Sequence, residues 1–541
     1  MKKYNLYKHT PIYTIKELLD FCVTAYSSKE AFAYRIKKQD YSISFVEFKS
    51  QVNAWGTYLF NEGYRDCHIA VFGENSYEWI LTHFAVTCGG NVIVPIDKEL
   101  DTESIVELLS DSESKVLVYS NTYADIAEQL QGKLPNITYI DMKEIATCID
   151  IGKQLIKNGY TDYTNIEINK DDLASIVYTS GTTGKSKGVM LTHGNIATDT
   201  VATCQNVLIE GPTVLLLPLH HTFGLVAGVM CVLFYGYSIY INSSLKRIMD
   251  DFQKAKPQHL SLVPLIVETL YKRIWTIATQ QKKDKVLLLL IKFSDAMLKI
   301  KIDLRKLFFK SVLNAFGGNL ETIVSGGAPI DDKYIQGFRS LGITIINGYG
   351  ITECSPVVAT NRNSAIKKGT VGFPLCCNEV KINEPDSEGN GEIMVKGSNV
   401  MVGYYNDKKN TEEVFQDGWF CTGDIGKIDE NGYLYITGRI KNLIILGNGE
   451  NIPAESIEAQ IYTISYVKEV ICYGQNNVIV AEVYLDEDAP GAKERINADI
   501  QIVNQRMPQI RNIGKIVVRD TEFPKTTTKK IKRNLGGSEN A

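Results

Sequence analysis

Between about residues 30 and 240 the chain alternates short, almost wholly apolar runs with longer segments of helical period. The runs are HIAVFGEN, NVIVPID, KVLVYS, ITYIDM, ASIVYTS and TVLLLPL. Such runs, rich in Val and Ile, are expected of buried strands, and their alternation with helical segments predicts an α/β architecture. From Glu268 to Phe316 the pattern changes to long basic amphipathic helices, including KKDKVLLLLIKF and KIDLRKLFFKSVLNAF. Strand patterns return in ETIVSGGAPI and ITIINGYG. Residues 370 to 436 are rich in glycine and turns with short alternating runs (EVKINEP, GEIMVKG, YLYITG), which predicts a small β unit.

After Gly438 the order of patterns is hairpin (NLIILGNGEN), helix (AESIEAQIYTI), two strands (EVICYG, NVIVAEVYL), helix, strand (KIVVRD) and a basic tail. That is enough chain for a small α+β domain of its own. No internal repeat or long low-complexity segment interrupts the series.

Composition narrows the classes. The 541 residues are 44% hydrophobic and 22% charged with a net charge of -4, so no global bias toward nucleic acid or anionic lipid exists. A nucleic-acid partner is not expected. The eleven cysteines include no CxxC pair, which suits a reducing compartment. The opening MKKYNLYKHTPIYTIKELLDF lacks the apolar run of a signal peptide, and no stretch approaches the ~20 apolar residues of a membrane span. A cytoplasmic location is the expectation.

Chemistry concentrates first in YTSGTTGKSKGV, residues 178–189. Two strand-like runs flank it, so it predicts a turn between strands. Its glycines permit backbone N–H groups to converge on one point, its hydroxyls add donors and Lys185 and Lys187 add charge, a combination suited to a polyphosphate. A Walker A loop needs four residues between its first glycine and Gly-Lys-Ser; here GTTGKS has two, and Thr179 stands where that glycine belongs. The register is wrong for a P-loop. Taken alone, a hairpin turn without ligand remains the competing reading.

Four further segments follow in order: NGYGITECSPV (347–357), WFCTGDIG (419–426), GRIKNLIILGNGENI (438–452) and PKTTTKKIKR (524–533). With the loop they resemble the signature set of the adenylate-forming superfamily, the AMP-forming acyl-CoA synthetases and their relatives, from about Ile43 to Arg533. The resemblance implies an α/β fold with a large N-terminal domain of stacked α/β sheets plus the small β unit, residues 1–438, and a small mobile α+β C-terminal domain, residues 439–541. It also implies ATP, Mg²⁺ and CoA, with a carboxylic acid activated as acyl-AMP before a thiol takes the acyl group.

Roles carry over by position. Thr179, Ser180, Gly181, Thr182, Thr183, Gly184, Lys185 and Lys187 would close over the β- and γ-phosphates. In SGGAP, Gly327, Ala328 and Pro329 would lie against the purine. Asn347, Gly348 and Tyr349 would form the adenine side, with Tyr349 stacking on the base; Thr352 would hydrogen-bond the α-phosphate and Glu353 would hold Mg²⁺, an oxygen ligand for a hard cation. Asp424 would accept from the ribose hydroxyls with Arg439 assisting. His221, in PLHHTFGL, would flank the carboxylate, while His220 is expected only to pack. Lys530 would be the adenylation lysine, although Lys529 stands where the family usually has glycine. Lys441 would be the hinge about which the C-terminal domain turns between the two half-reactions. No HExxH or comparable spacing points to zinc.

The 49 residues from Glu268 to Phe316, with NVMVGYYN and GRIKNLIILGNGENI, look most like bacterial long-chain fatty acyl-CoA synthetases. The expected substrate is therefore a fatty acid, with an aryl acid or a carrier-protein thiol in place of CoA as alternatives. A pseudoenzyme that only senses nucleotide is disfavoured, because Thr352, Glu353, Asp424, Arg439 and Lys530 are all present. From Lys272 to Lys310 there are eleven Lys or Arg against three Asp. That segment either buries its apolar face on the body or rests on the inner face of an anionic membrane.

Overall fold

A computed structural model describes residues 6–179, 186–242, 244–445, 451–486, 488–525, 531 and 533. The chain forms two compact units: residues 1–379 with 395–420, and residues 380–394 with 421–541. The second unit thus takes in more chain than the expected start at residue 439. Within it, Asp424, Ile425, Gly426, Lys427 and Ile428 pair with the antiparallel strand Leu434–Arg439. Thr422 and Gly423 are tied by hydrogen bonds to Ile393 and Glu392.

The first unit is built on three sheets. In the seven-stranded sheet, His68–Phe72 is flanked by Val92–Ile96 and Val116–Tyr119, all parallel. Val92–Ile96 is buried at all five positions, which explains why its sequence shows no apolar–polar alternation. Helix Tyr77–Thr87 is buried along almost its whole length, and Ser76 caps it by accepting from the Trp79 amide. On the far side, strands Leu173–Thr179 and Lys187–Thr192 form an antiparallel hairpin whose final pair is Thr179 and Lys187. Residues 180–185, which hold Ser180, Gly181, Thr182, Thr183, Gly184 and Lys185, lie outside the described residues.

The second sheet runs His259–Leu262, Thr322–Ser325 and Thr344–Gly350 in parallel, then Val357–Thr360 and Phe373–Pro374 antiparallel. The third has four strands, among them Glu30–Ile36 and Ile239–Ile241. Helices Pro264–Gln280 and Asp284–Lys299 follow the predicted pattern. The predicted long helix over 301–316 is instead two short ones, Arg305–Phe308 and Lys310–Ala315. The break falls at Phe309, which turns into the interior.

In the second unit, Val467–Gln475 and Val478–Leu485 are antiparallel and Ile513–Arg519 adds in parallel. Asn476 and Asn477 join the first two with positive φ, the backbone of a tight hairpin turn that asparagine tolerates. Leu443–Ile445 pairs with Asn451–Pro453, as NLIILGNGEN predicts; the tip, 446–450, is outside the described residues. Helices Ala454–Ile461 and Ala492–Asn504 cover the sheet through Ile457, Ile461, Ile496 and Ile500.

Candidate active site

The register of the second sheet places Ser325 beside Asn347, so SGGAP and the tyrosine-glycine motif leave adjacent strand ends together. Gly327 has φ +83°, a conformation in which a side chain is strained. A Cβ on Gly326 would sit 3.3 Å from the Phe223 ring, so the bare backbone lets the strand end lie against that ring. Ala328 is half-buried and Pro329 exposed, beyond the strand end. Asn361 donates from its backbone and side chain to the Asn347 carbonyl, at 3.0 and 3.2 Å, which fixes the strand that carries Gly348 and Tyr349.

After Gly350 the chain reverses through the short 3₁₀ turn Thr352–Cys354. A buried polar network holds this reversal. The Asn399 amide lies 2.9 Å from each of the carbonyl oxygens of Cys354 and Val357 and from Asp199 Oδ1. Asp199 Oδ1 also accepts from the Val357 amide at 3.1 Å, and Ser355 donates to the Asn399 carbonyl. Asp199 is wholly buried, and burial pushes its carboxyl well above the usual carboxylate range.

Glu353 is held from two directions: its carbonyl accepts from the Met401 amide at 2.8 Å and its carboxylate from the Tyr404 hydroxyl at 3.0 Å. Tyr404 pairs with Val189 on the edge of the seven-stranded sheet. Lys187 places its ammonium 4.9 Å from the centre of the Tyr404 ring and donates to Asn410. The glycine-hydroxyl hairpin and the Thr352–Glu353 turn therefore meet through Tyr404. The sequence contains that residue in NVMVGYYN but offers no spacing that marks its role.

His221 stands at the start of helix Thr222–Leu225 with Nε2 3.1 Å from Nε2 of His220. His220 Nε2 is also 3.4 Å from Asp97 Oδ1. Burial and the neighbouring His221 hold the His220 imidazole down at about 3, so it is neutral. Packing alone does not describe His220, since it joins Asp97 to His221.

An apolar slot opens from these strand ends. Its mouth is formed by Gly326, Gly327, Tyr349 and Gly350, and its walls by Phe223, Ala227 and Cys231 against Val207 and Ile209. Its cavity volume is about 70 Å³, a narrow slot. Ser325 Oγ lines it, buried and without a hydrogen-bond partner in the protein. Such an orphan donor suits a polar ligand atom at the mouth.

In the second unit Asp424 and Arg439 face each other across the strand pair, and Arg439 Nε donates to Asp424 Oδ1 at 2.6 Å. Asp424 is buried while Arg439 reaches solvent. Lys441 is exposed in the turn Ile440–Asn442 that follows. Lys530 lies outside the described residues, as does Lys529. On either side of them, Lys525 bridges to Ile531, and Arg533 donates to Glu458 at 2.8 and 2.5 Å.

Residues 20–405 match the family described as AMP-binding enzyme. The chain belongs to that family. Among relatives of this AMP-binding enzyme, the long-chain-fatty-acid–CoA ligase FadD15 of Mycobacterium bovis is 27% identical, over 91% of this chain and 90% of its own. Human long-chain-fatty-acid–CoA ligase 1 is 29% identical, over 80% of this chain and 68% of its own. Among solved structures, o-succinylbenzoate CoA synthetase from Bacillus subtilis, in complex with its acyl-adenylate intermediate, superimposes with a TM-score of 0.74. It is 24% identical, over 95% of this chain and 96% of that one, a likeness of fold.

Proposed function

We propose that this AMP-binding enzyme is an ATP-dependent fatty acid–CoA ligase. The observation that carries the reading is the apolar slot whose mouth is made by the SGGAP and tyrosine-glycine strand ends. A ligase for fatty acids needs a nucleotide site and an alkyl site to share one opening, and the adenine-side and alkyl candidates both lie within the first unit. The curated relatives named above bear the same substrate class in their names.

In the first half-reaction a carboxylate oxygen attacks the α-phosphorus of ATP, the bond to the bridging oxygen of pyrophosphate breaks, and acyl-AMP forms. Both partners are anionic, so catalysis rests on fixed positive charge and donors. Thr352 and Lys187 supply these from the first unit, and Lys530 is proposed to supply a further charge. Glu353, oriented by Tyr404, fits Mg²⁺, which would neutralise phosphate charge when bound. In the second half-reaction the CoA sulfur attacks the acyl carbon, the bond to AMP breaks and the thiol proton is released.

Asp424 with Arg439 is proposed to bind ribose, and Lys441 to be the hinge of a mobile C-terminal domain from residue 439. A pyrophosphate-release assay with saturated fatty and aromatic acids, with and without CoA, tests the function. Fatty-acid-dependent release and CoA-dependent thioester support it; turnover of aryl acids alone, or of a carrier-protein thiol but not CoA, supports an alternative.

Membrane contact through 272–310 is part of the proposal. Val286, Leu289, Phe293, Ile300 and Leu307 are 52–69% exposed, so the apolar face of this basic segment is not buried on the body. Each Lys or Arg near an anionic surface contributes about 1 kcal/mol. Among the described residues no helix is long and apolar enough to cross a membrane, so contact would be peripheral. Flotation with anionic vesicles at low salt tests it, and absence of binding removes it.

A further inference from the structure

The N-terminal segment touches one of the residues that line the apolar slot. Phe223, Ala227, Cys231 and Tyr235 recur at intervals of four along the helical segments Thr222–Leu225, Val226–Met230 and Cys231–Phe234, and all four line the slot. Phe223 is at the mouth, against Gly326. Tyr235 is at the other end. Its hydroxyl lies 2.7 Å from the Cys204 carbonyl oxygen, 3.1 Å from that of Val207 and 3.2 Å from Nε2 of His9.

A tyrosine hydroxyl has one proton to donate and lone pairs to accept with. The proton serves the carbonyls, which leaves the oxygen's lone pairs for His9, whose imidazole burial shifts below its ordinary pKa. His9 packs edge-on against Phe234 and Tyr235, with ring centres 5.1 and 5.3 Å apart. The Tyr7 amide donates to the Gln205 carbonyl at 3.0 Å, which fastens the segment over the end of helix His193–Asn206. The Tyr235 hydroxyl is thus held from several sides.

We propose that Tyr235, buttressed by His9, is the end-stop that sets the longest acyl chain this enzyme accepts, an inference that rests on the fatty-acid reading. Tyr235 follows Phe223 by twelve positions, a rise of at most about 18 Å because Val226–Met230 is wound as a π-helix. An extended alkyl chain advances about 1.3 Å per carbon, given C–C bonds near 1.5 Å, so the stripe matches about 14 carbons. A longer chain must displace the tyrosine ring, which strips the carbonyls of Cys204 and Val207 of their donor.

The test is kcat/KM for pyrophosphate release with saturated acids of about 8 to 20 carbons, in wild type and in Tyr235→Ala, His9→Ala and Cys231→Phe. Wild type should fall steeply beyond about 14 carbons. Tyr235→Ala should raise the preference for an 18-carbon over a 12-carbon acid by about tenfold or more, and His9→Ala should move it the same way by less. Cys231→Phe, one turn nearer the mouth, should shift preference toward shorter acids. Should Tyr235→Ala fail to fold, Tyr235→Phe keeps the ring but frees its anchor, and it too should relax the limit. A uniform loss across the series, with the length profile unchanged in the folded variants, overturns the end-stop alone. A wild-type enzyme that turns over none of these acids overturns the fatty-acid reading and the end-stop with it.

Discussion

Asp199 and Asn399 meet at 2.9 Å in the interior, two hundred residues apart in the chain, and between them hold the carbonyls and amide that shape the Thr352–Glu353 turn. The pair shapes this turn from the interior, where neither side chain is exposed.

Replacing Asn399 by Ala leaves buried carbonyls and a carboxyl short of a donor, each such loss costing about 1–3 kcal/mol. The denaturation midpoint should fall accordingly, and kcat should fall with it as Thr352 and Glu353 lose their fixed position. Asp199→Asn gives a separate test through pH. Burial raises the folded pKa of Asp199 above the ordinary 3.8, so the folded state keeps a proton that the unfolded state loses. Its contribution is full below the unfolded value and shrinks as pH rises, by up to about 1.4 kcal/mol per unit. Denaturant titrations from acid to neutral pH should therefore show wild type losing ground to Asp199→Asn. A difference independent of pH would show Asp199 to be ionised in the fold.

Tyr404→Phe removes the hydroxyl that orients the Glu353 carboxylate while keeping the ring under Lys187. Groups that orient a metal ligand are typically worth about 10–100-fold in metal affinity or activity. Titration of pyrophosphate release with Mg²⁺ should show a higher requirement by a factor in that range, with fold stability little changed.

Much of this arrangement is legible in the sequence. The apolar runs identify the buried strands, and the flanking strands of YTSGTTGKSKGV and the pairing in NLIILGNGEN follow from local pattern. Asp424 and Arg439, which the resemblance joins in one role, are cross-strand neighbours. The sequence does not reveal Tyr404 behind Glu353, Asn399 on Asp199, or Asp97 beside His220, because each pairs residues more than fifty positions apart and no periodicity links them. Nor does helical period say whether an apolar face finds a partner. Leu289 and Phe293 lie on a face whose pattern fits either packing on the body or contact with a membrane, and they stand exposed.

Lys530→Ala should cripple ATP–pyrophosphate exchange while largely sparing thioester formation from preformed acyl-AMP. A unit charge about 4 Å from the developing negative charge is worth up to ~4 kcal/mol at intermediate dielectric, or about three orders of magnitude in rate. Exchange near the wild-type rate would move the role elsewhere, with Lys529 as the next residue to replace.

Lys441→Pro should leave adenylation intact and block transfer to CoA, since a ring in the backbone restricts the rotation that a hinge requires. Assaying the half-reactions separately decides the matter. Equal loss of both would count against a hinge at this residue.

The central claim is that one chain joins a fatty carboxylate to AMP before thiol transfer. Its most direct test is mass spectrometry of the enzyme incubated with ATP, Mg²⁺ and a saturated fatty acid, first without CoA and then with it. The account predicts acyl-AMP and pyrophosphate in the first incubation, and acyl-CoA with free AMP in the second. Formation of ADP and phosphate, or of thioester with no adenylate on the way, would contradict it.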